Sequence, residues 1–191
     1  TLKITRHIIK HKLLRTPKFA MVLQLEPLHT CNLTCTGCGR IREYSTSLKD
    51  MVPLEQCLEA AADCDAPMVS ICGGEPLIFK GIEDVVDGFL EMKKNIQLCT
   101  NALRLEELLD RFTPNPRLTW VVHLDGMQEI HDYICDYPGL WDIAISAIKA
   151  ARNFNAGRGS FDWLHINSAT YVGPNRWFDE GDKRFAPNNV I

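Results

Sequence analysis

The chain has 191 residues, 46% hydrophobic, 24% charged and 8% aromatic, with a formal net charge of −3. That size suits a single domain burying roughly 70% of its unfolded surface, and no apolar run reaches the roughly 18–20 residues of a membrane span. The eight cysteines would suit a secreted disulfide framework, but that class is smaller and loop-rich. Here Cys57 and Cys64 lie in a helical pattern while Cys72 and Cys99 end strand-like runs, so a reducing cytoplasm is expected.

Residues 1–18 carry Lys3, Arg6, Lys10, Lys12, Arg15 and Lys18 without an acid, which leaves a net charge of −9 to the rest of the chain. Ile4, Ile8 and the Ile9/Leu13 pair recur at helical spacing, with Arg6, Lys10 and Lys12 mostly between them. The pattern predicts a basic amphipathic helix as a first unit, 1–18. Such a helix suits the anionic inner face of a membrane or packs on its own domain. No nucleic-acid partner is expected.

From Met21 onward strand and helix patterns alternate. Strands are predicted at 20–25, 68–72, 96–100 and 118–124, with a fifth at 163–171. Helices are predicted at 54–64, 82–94, 104–112 and 140–153. Ile82, Val85, Val86, Phe89 and Met92, for example, share one helical stripe. The strands read as apolar on both faces, and strands alternating with helices at this spacing argue for βαβ units and a parallel sheet. The second unit is thus expected over 19–172, and 173–191, rich in Pro, Asn, Asp, Gly and Arg, as an irregular tail.

In parallel α/β folds sites form at the carboxyl ends of the strands, and every chemically suggestive residue here falls at such an end. Cys31, Cys35 and Cys38 follow the first strand at C-x3-C-x2-C spacing. Thiolates are soft ligands for zinc, copper(I) or iron–sulfur clusters. Structural zinc usually takes four ligands in two close pairs, whereas three thiols without a near fourth fit a [4Fe–4S] cluster with one iron open. Gly73-Gly74-Glu75-Pro76 follows the second strand, Thr100-Asn101 the third, and His123-Leu124-Asp125-Gly126 ends the fourth. Read alone, Gly-Gly-Glu-Pro is also a plain turn, His123 also a buried structural histidine, and Asp125 before Gly126 also a strand-end turn.

The paired cysteine and Gly-Gly-Glu-Pro motifs are similar to those of the radical S-adenosylmethionine (SAM) superfamily, over roughly residues 20–152. The resemblance implies an α/β fold: an incomplete TIM-like (β/α)6 partial barrel, a parallel sheet with outer helices. It implies that Cys31, Cys35 and Cys38 hold a [4Fe–4S] cluster whose open iron is chelated by SAM. Gly73, Gly74, Glu75 and Pro76 would meet the methionine amino group. Thr100, Asn101, His123 and Asp125 would lie near the SAM carboxylate and ribose. A sixth strand is not legible, so the barrel is expected to be incomplete and the chain truncated.

Leu25-Glu26-Pro27-Leu28, Gly39-Arg40-Ile41, Cys99-Thr100-Asn101-Ala102-Leu103 and Val122-His123-Leu124-Asp125-Gly126 together resemble adenosyl-hopene transferase of hopanoid biosynthesis. That implies addition of a 5′-deoxyadenosyl radical to the terminal alkene of diploptene, with a flavodoxin- or ferredoxin-like one-electron reductant. It also implies a cytoplasmic enzyme in peripheral contact with the membrane through residues 1–18. The carbon radical left by addition needs a hydrogen atom. A thiol is a good donor because its S–H bond is weaker than the C–H bond formed. Cys99, beside Thr100-Asn101, is the expected catalytic donor, against the alternative of a thiol packed in the core. Rivals are another radical SAM enzyme that modifies a peptide or a cofactor precursor by hydrogen abstraction, and a zinc- or iron–sulfur-binding module without catalysis.

Overall fold

The computed structural model describes residues 2–40, 44–155 and 164–167. Five parallel strands form one sheet: β1 (Val22–Leu25), β2 (Met68–Ile71), β3 (Asn95–Thr100), β4 (Leu118–His123) and β5 (Leu164–Asn167), in the spatial order β1-β2-β3-β4-β5. Between them run α2 (Leu54–Asp63), α3 (Ile82–Glu91), α4 (Leu105–Leu108), α5 (Gln128–Cys135) and α6 (Leu140–Asn155), with α1 (Leu2–Leu13) before the sheet. Sequential order with right-handed crossovers puts the helices on one face and curls the sheet toward a barrel. The α/β, TIM-like partial barrel expected from the sequence is therefore the observed fold. The expected tail at 173–191, like residues 168–172, lies outside the described residues.

The two faces of the sheet differ in chemistry. On the helix-covered face Val69, Ile71, Ile96, Leu98, Leu118, Trp120 and Val122 are buried and join Phe89, Val85 and Val86 of α3 in one core. Trp120 meets Phe112 edge to face, ring centroids 5.0 Å apart. The inner face is not apolar, contrary to expectation. Gln24, Ser70, Gln97 and Thr119 stand opposite one another across β1 to β4. The next inner positions include Cys72 and Cys99, one residue beyond the Ile71↔Leu98 pair. Of this face only the carboxyl ends of the strands, at Cys72, Cys99 and His123, line the cavity.

Two helices differ from the sequence expectation. The stripe over 82–94 stops at Glu91 because Lys93 takes a left-handed conformation, φ 59°. Its N–H bonds Leu90 O at 2.9 Å and that of Lys94 bonds Phe89 O at 3.0 Å, a paired closure that satisfies the last carbonyls. Helix α5 was not expected at all. It buries His131 and Cys135, one turn apart, two residue types that an apolar-periodicity reading does not count.

Helix α1 forms within the predicted 1–18. His7 and His11 are buried, whereas Ile9 and Leu13 are 52% and 79% exposed.

Candidate functional site

The cysteine loop is an excursion closed at its base. Leu28 and Met51 form an antiparallel bridge, Val52 N–H donates to Pro27 O at 2.8 Å, and His29 N–H to Asp50 O at 3.4 Å. The loop entering from β1 is then zipped to the loop leaving β2. Cys72 N–H bonds Leu25 O (2.9 Å), Gly74 N–H bonds Leu28 O (2.9 Å) and Glu75 N–H bonds Thr30 O (3.0 Å). The contact is close enough to demand glycine. A Cβ on Gly74 would stand 1.8 Å from Thr30 O, and one on Gly73, at φ 117°, 2.5 Å from Leu28 O.

Glu75 ties the second and third strand ends together. Its side chain is turned inward and is 2% exposed. Oε1 accepts from Leu77 N–H at 3.0 Å and from the Thr100 hydroxyl at 2.8 Å, while Oε2 accepts from Asn101 N–H at 2.8 Å. Burial pushes this carboxyl above the usual range, opposed by the three donors. Asn101 carries the tie onward: its Nδ2 donates to Asn32 Oδ1 at 2.8 Å and lies 3.8 Å from Cys31 Sγ. One chain of hydrogen bonds thus joins three loops.

From the other side the cysteine loop rests on the C-terminal end of α5. Thr36 N–H donates to Ile134 O at 2.6 Å and the Thr34 hydroxyl to Asp136 Oδ2 at 3.2 Å. Leu33 packs with Cys135 and Leu140. The Cys135 thiol donates to Cys35, which holds the Cys35 thiol below its usual range and pushes Cys135 up. Cys135 is also 3.8 Å from Asp125 Oδ2 and from His131 Nδ1. The residues that sequence reasoning missed are therefore His131, Ile134, Cys135 and Asp136. A His and a Cys spaced i, i+4 after a strand end was the available signal.

Arg40, two residues past Cys38, makes a two-pronged ion pair with Glu26, at 3.0 and 2.8 Å. Each holds the other charged: the Glu26 carboxyl falls below and Arg40 rises above its ordinary value. At the end of β4, His123 Nε2 lies 2.7 Å from Asp125 Oδ1.

All the residues singled out by sequence come together. Cys31, Cys35, Cys38, Gly73, Gly74, Glu75, Pro76, Cys99, Thr100, Asn101, His123 and Asp125 line one open cavity of about 580 Å³, a size usual for small-molecule sites. Glu75 lines it from below, with its carboxylate engaged by the protein.

The His123–Asp125 pair gives a pH prediction. Hydrogen bonding to Asp125 raises the His123 imidazole above 6.5, and His123 lowers Asp125 below 3.8. The histidine contribution is full below the ordinary imidazole value and is lost as pH rises through the raised one. The aspartate contribution is full above the ordinary carboxylate value and is lost as pH falls through the depressed one. The pair is thus strongest between about pH 4 and 6.5. An NMR titration of His123 will give a midpoint above 6.5 that falls in Asp125→Asn; an unmoved midpoint contradicts the pairing.

The cavity and its loops can be compared with known proteins. The sequence model of the radical SAM superfamily matches residues 25–167. Among solved structures, the chain is similar to Streptococcus suis SuiB bound to S-adenosylmethionine, at 21% identity and TM-score 0.57, covering 95% of this chain and 39% of that one. It is similar to SuiB bound to the precursor peptide SuiA, at 22% identity and TM-score 0.59, covering 95% and 40%. A third is anSMEcpe with bound AdoMet and the Cp18Cys peptide, at 15% identity and TM-score 0.52, covering 76% and 42%. The chain spans about two fifths of the length of these structures. No curated protein matches it. With the family match extending from the last residue of β1 to the last of β5, the chain belongs to the radical SAM superfamily, whose members are enzymes that use SAM and a [4Fe–4S] cluster.

Proposed function

We propose that this chain carries the catalytic core of an adenosyl-hopene transferase-like enzyme, in which a 5′-deoxyadenosyl radical adds to the terminal alkene of diploptene. The observation that carries the reading is Cys99. It is a free thiol at the inner end of β3, lining the same cavity as the three loop cysteines. Burial pushes its titration up, so at neutral pH it keeps the S–H bond that a hydrogen-atom donor needs.

The donor set fits the cofactors. Three free thiols on one loop face the cavity, and they suit iron–sulfur ligation. Bound cluster and SAM supply the electron and the adenosyl radical; the protein positions and shields them. Cys31, Cys35 and Cys38 hold the cluster. Since three donors already occupy the Glu75 carboxylate, the methionine ammonium falls to carbonyl oxygens of the Gly73–Pro76 stretch. Thr100, Asn101, His123 and Asp125 border the carboxylate and ribose. Cys99 would then give its hydrogen atom to the substrate carbon radical, and the thiyl radical left on Cys99 would take one electron from the reductant and one proton to restore the thiol. A flavodoxin- or ferredoxin-like protein returns electrons.

The amphipathic α1 gives a hydrocarbon substrate a route from the bilayer. Ile9, Leu13 and Leu14 are 52%, 79% and 65% exposed. Arg6, Lys10, Lys12, Arg15 and Lys18, all exposed, surround them. No helix among the described residues is long and apolar enough to cross a membrane; the contact in this proposal is peripheral and on the cytoplasmic side.

A second reading has one observation in its favour. The inner face of the sheet below Cys72 and Cys99 is polar, with Gln24, Ser70, Gln97 and Thr119. A peptide or cofactor precursor losing a hydrogen atom would suit that lining, and SuiB and anSMEcpe have been crystallised with peptides.

Three measurements test these proposals. Anaerobic reconstitution will give about four irons per chain, and Cys31→Ala, Cys35→Ala and Cys38→Ala will each lose most of that iron, while Cys64→Ala keeps it. Incubation with diploptene, SAM and reductant will give adenosylhopane. Cys99→Ala will cut that yield at least tenfold while SAM cleavage continues. Free 5′-deoxyadenosine with no adenosylhopane from the unaltered protein supports the second reading instead. In sedimentation with anionic vesicles, Ile9→Ser/Leu13→Ser/Leu14→Ser will bind at least tenfold more weakly than the parent, and salt will weaken both. Equal binding removes the membrane role.

A further inference from the structure

At the opposite end of the sheet from the cavity, α1 brings two histidines against Asp65, in the loop entering β2. His7 and His11 lie one turn apart on the inward side of α1 and are 7% and 8% exposed. Their ring centroids are 4.5 Å apart, and His11 stacks on Phe19 at 4.5 Å with the planes 7° apart. His7 Nε2 lies 2.9 Å from the Ala20 carbonyl oxygen. A carbonyl only accepts, so this nitrogen carries the proton and Nδ1 keeps its lone pair. His11 Nε2 lies 3.0 Å from Asp65 Oδ2, while its Nδ1 is buried with no hydrogen-bond partner among the described residues.

In His7 the ring N–H held by the Ala20 carbonyl is the usual outer support of a metal-binding histidine, because it fixes the tautomer and leaves the Nδ1 lone pair for an ion. In His11 it is Nε2, 3.0 Å from Asp65 Oδ2, that would share the ion with that carboxylate. Histidines at i and i+4 on one helix face are spaced to reach a single ion. One ligand atom from each of His7, His11 and Asp65 lies within 4.8 Å of the others, so a small side-chain adjustment brings all three to one centre.

We propose that His7, His11 and Asp65 form a site for a divalent transition metal of the zinc class, which staples α1 to the loop entering β2. Two imidazoles and a carboxylate match the preferences of zinc and its neighbours and leave a position for water. The site lies away from the cavity, so its effect is on the anchoring of α1. Lys10 competes for it: its Nζ lies 2.8 Å from the same Asp65 Oδ2. The plain alternative is a packing cluster in which His11 only hydrogen-bonds Asp65.

Zinc titration of the untagged, iron-loaded protein by calorimetry, with thermal melting beside it, separates the two. The expected result is one equivalent of zinc per chain beyond the iron already held, with a rise in melting temperature. His7→Gln and His11→Gln will each weaken that binding at least tenfold and remove the thermal rise, with iron and sulfide content unchanged. Asp65→Asn, at a surface carboxylate, removes one ligand, will weaken it at least tenfold and carries the test if a histidine variant does not fold. Lys10→Ala will tighten it. Absence of zinc binding, or binding of equal strength in His11→Gln and Asp65→Asn, overturns the proposal. Uptake that depends instead on the cysteines overturns it too.

Discussion

One buried carboxylate holds the functional end of this sheet together. Glu75 follows β2, yet its two oxygens are committed to the loop after β3 and to the turn after its own glycines. An ionised or even neutral carboxyl at 2% exposure is tolerated only with its acceptors satisfied. That requirement fixes where Thr100 and Asn101 must sit. Their position in turn fixes Asn32, and with it one edge of the cysteine loop. Loss of the carboxylate would leave the Asn101 N–H and the Thr100 hydroxyl without their acceptor and would release three loops together rather than one.

The cysteine loop is accordingly held from two sides by different physics. On the β2 side the hold is backbone pairing at a distance only glycine permits. On the α5 side it is the end of a helix. Asp136 adopts a left-handed conformation, φ 53°, and closes α5 after Cys135. The carbonyl of Ile134 is thereby left to accept from Thr36. A mobile loop would place its thiols poorly, since metal ligands need their supports as much as their donor atoms. The thiol-to-thiol contact of Cys135 with Cys35 makes α5 part of those supports, and the i, i+4 spacing of His131 and Cys135 is its mark in the sequence.

What the sequence disclosed and what it hid follow from the same distinction. The strand order, the strand ends and the gathering of twelve residues around one cavity were legible, because each strand end carries an unusual local motif and parallel α/β folds bring strand ends together. Helix α5 was not, because its buried positions are His131 and Cys135 while Tyr133 is 77% exposed. Which way α1 faces was not legible for a related reason. Hydrophobicity alone would bury Ile9 and Leu13, but His7 and His11 find acceptors and Phe19 on the inward side, and the isoleucine and leucine are turned out.

The polar inner face changes how the sheet itself should be understood. Burial of Val69, Ile71, Ile96, Leu98, Trp120 and Val122 against the helices supplies a conventional apolar core on one side only. The other side carries Gln24, Ser70, Gln97 and Thr119 in register. A half-buried surface of amides and hydroxyls contributes little to folding, because its groups trade water for partners at nearly equal free energy. Stability on the helix side and chemistry on the inner side are separate demands on alternate residues of the same strands. The period of two along each strand lets both be met without conflict.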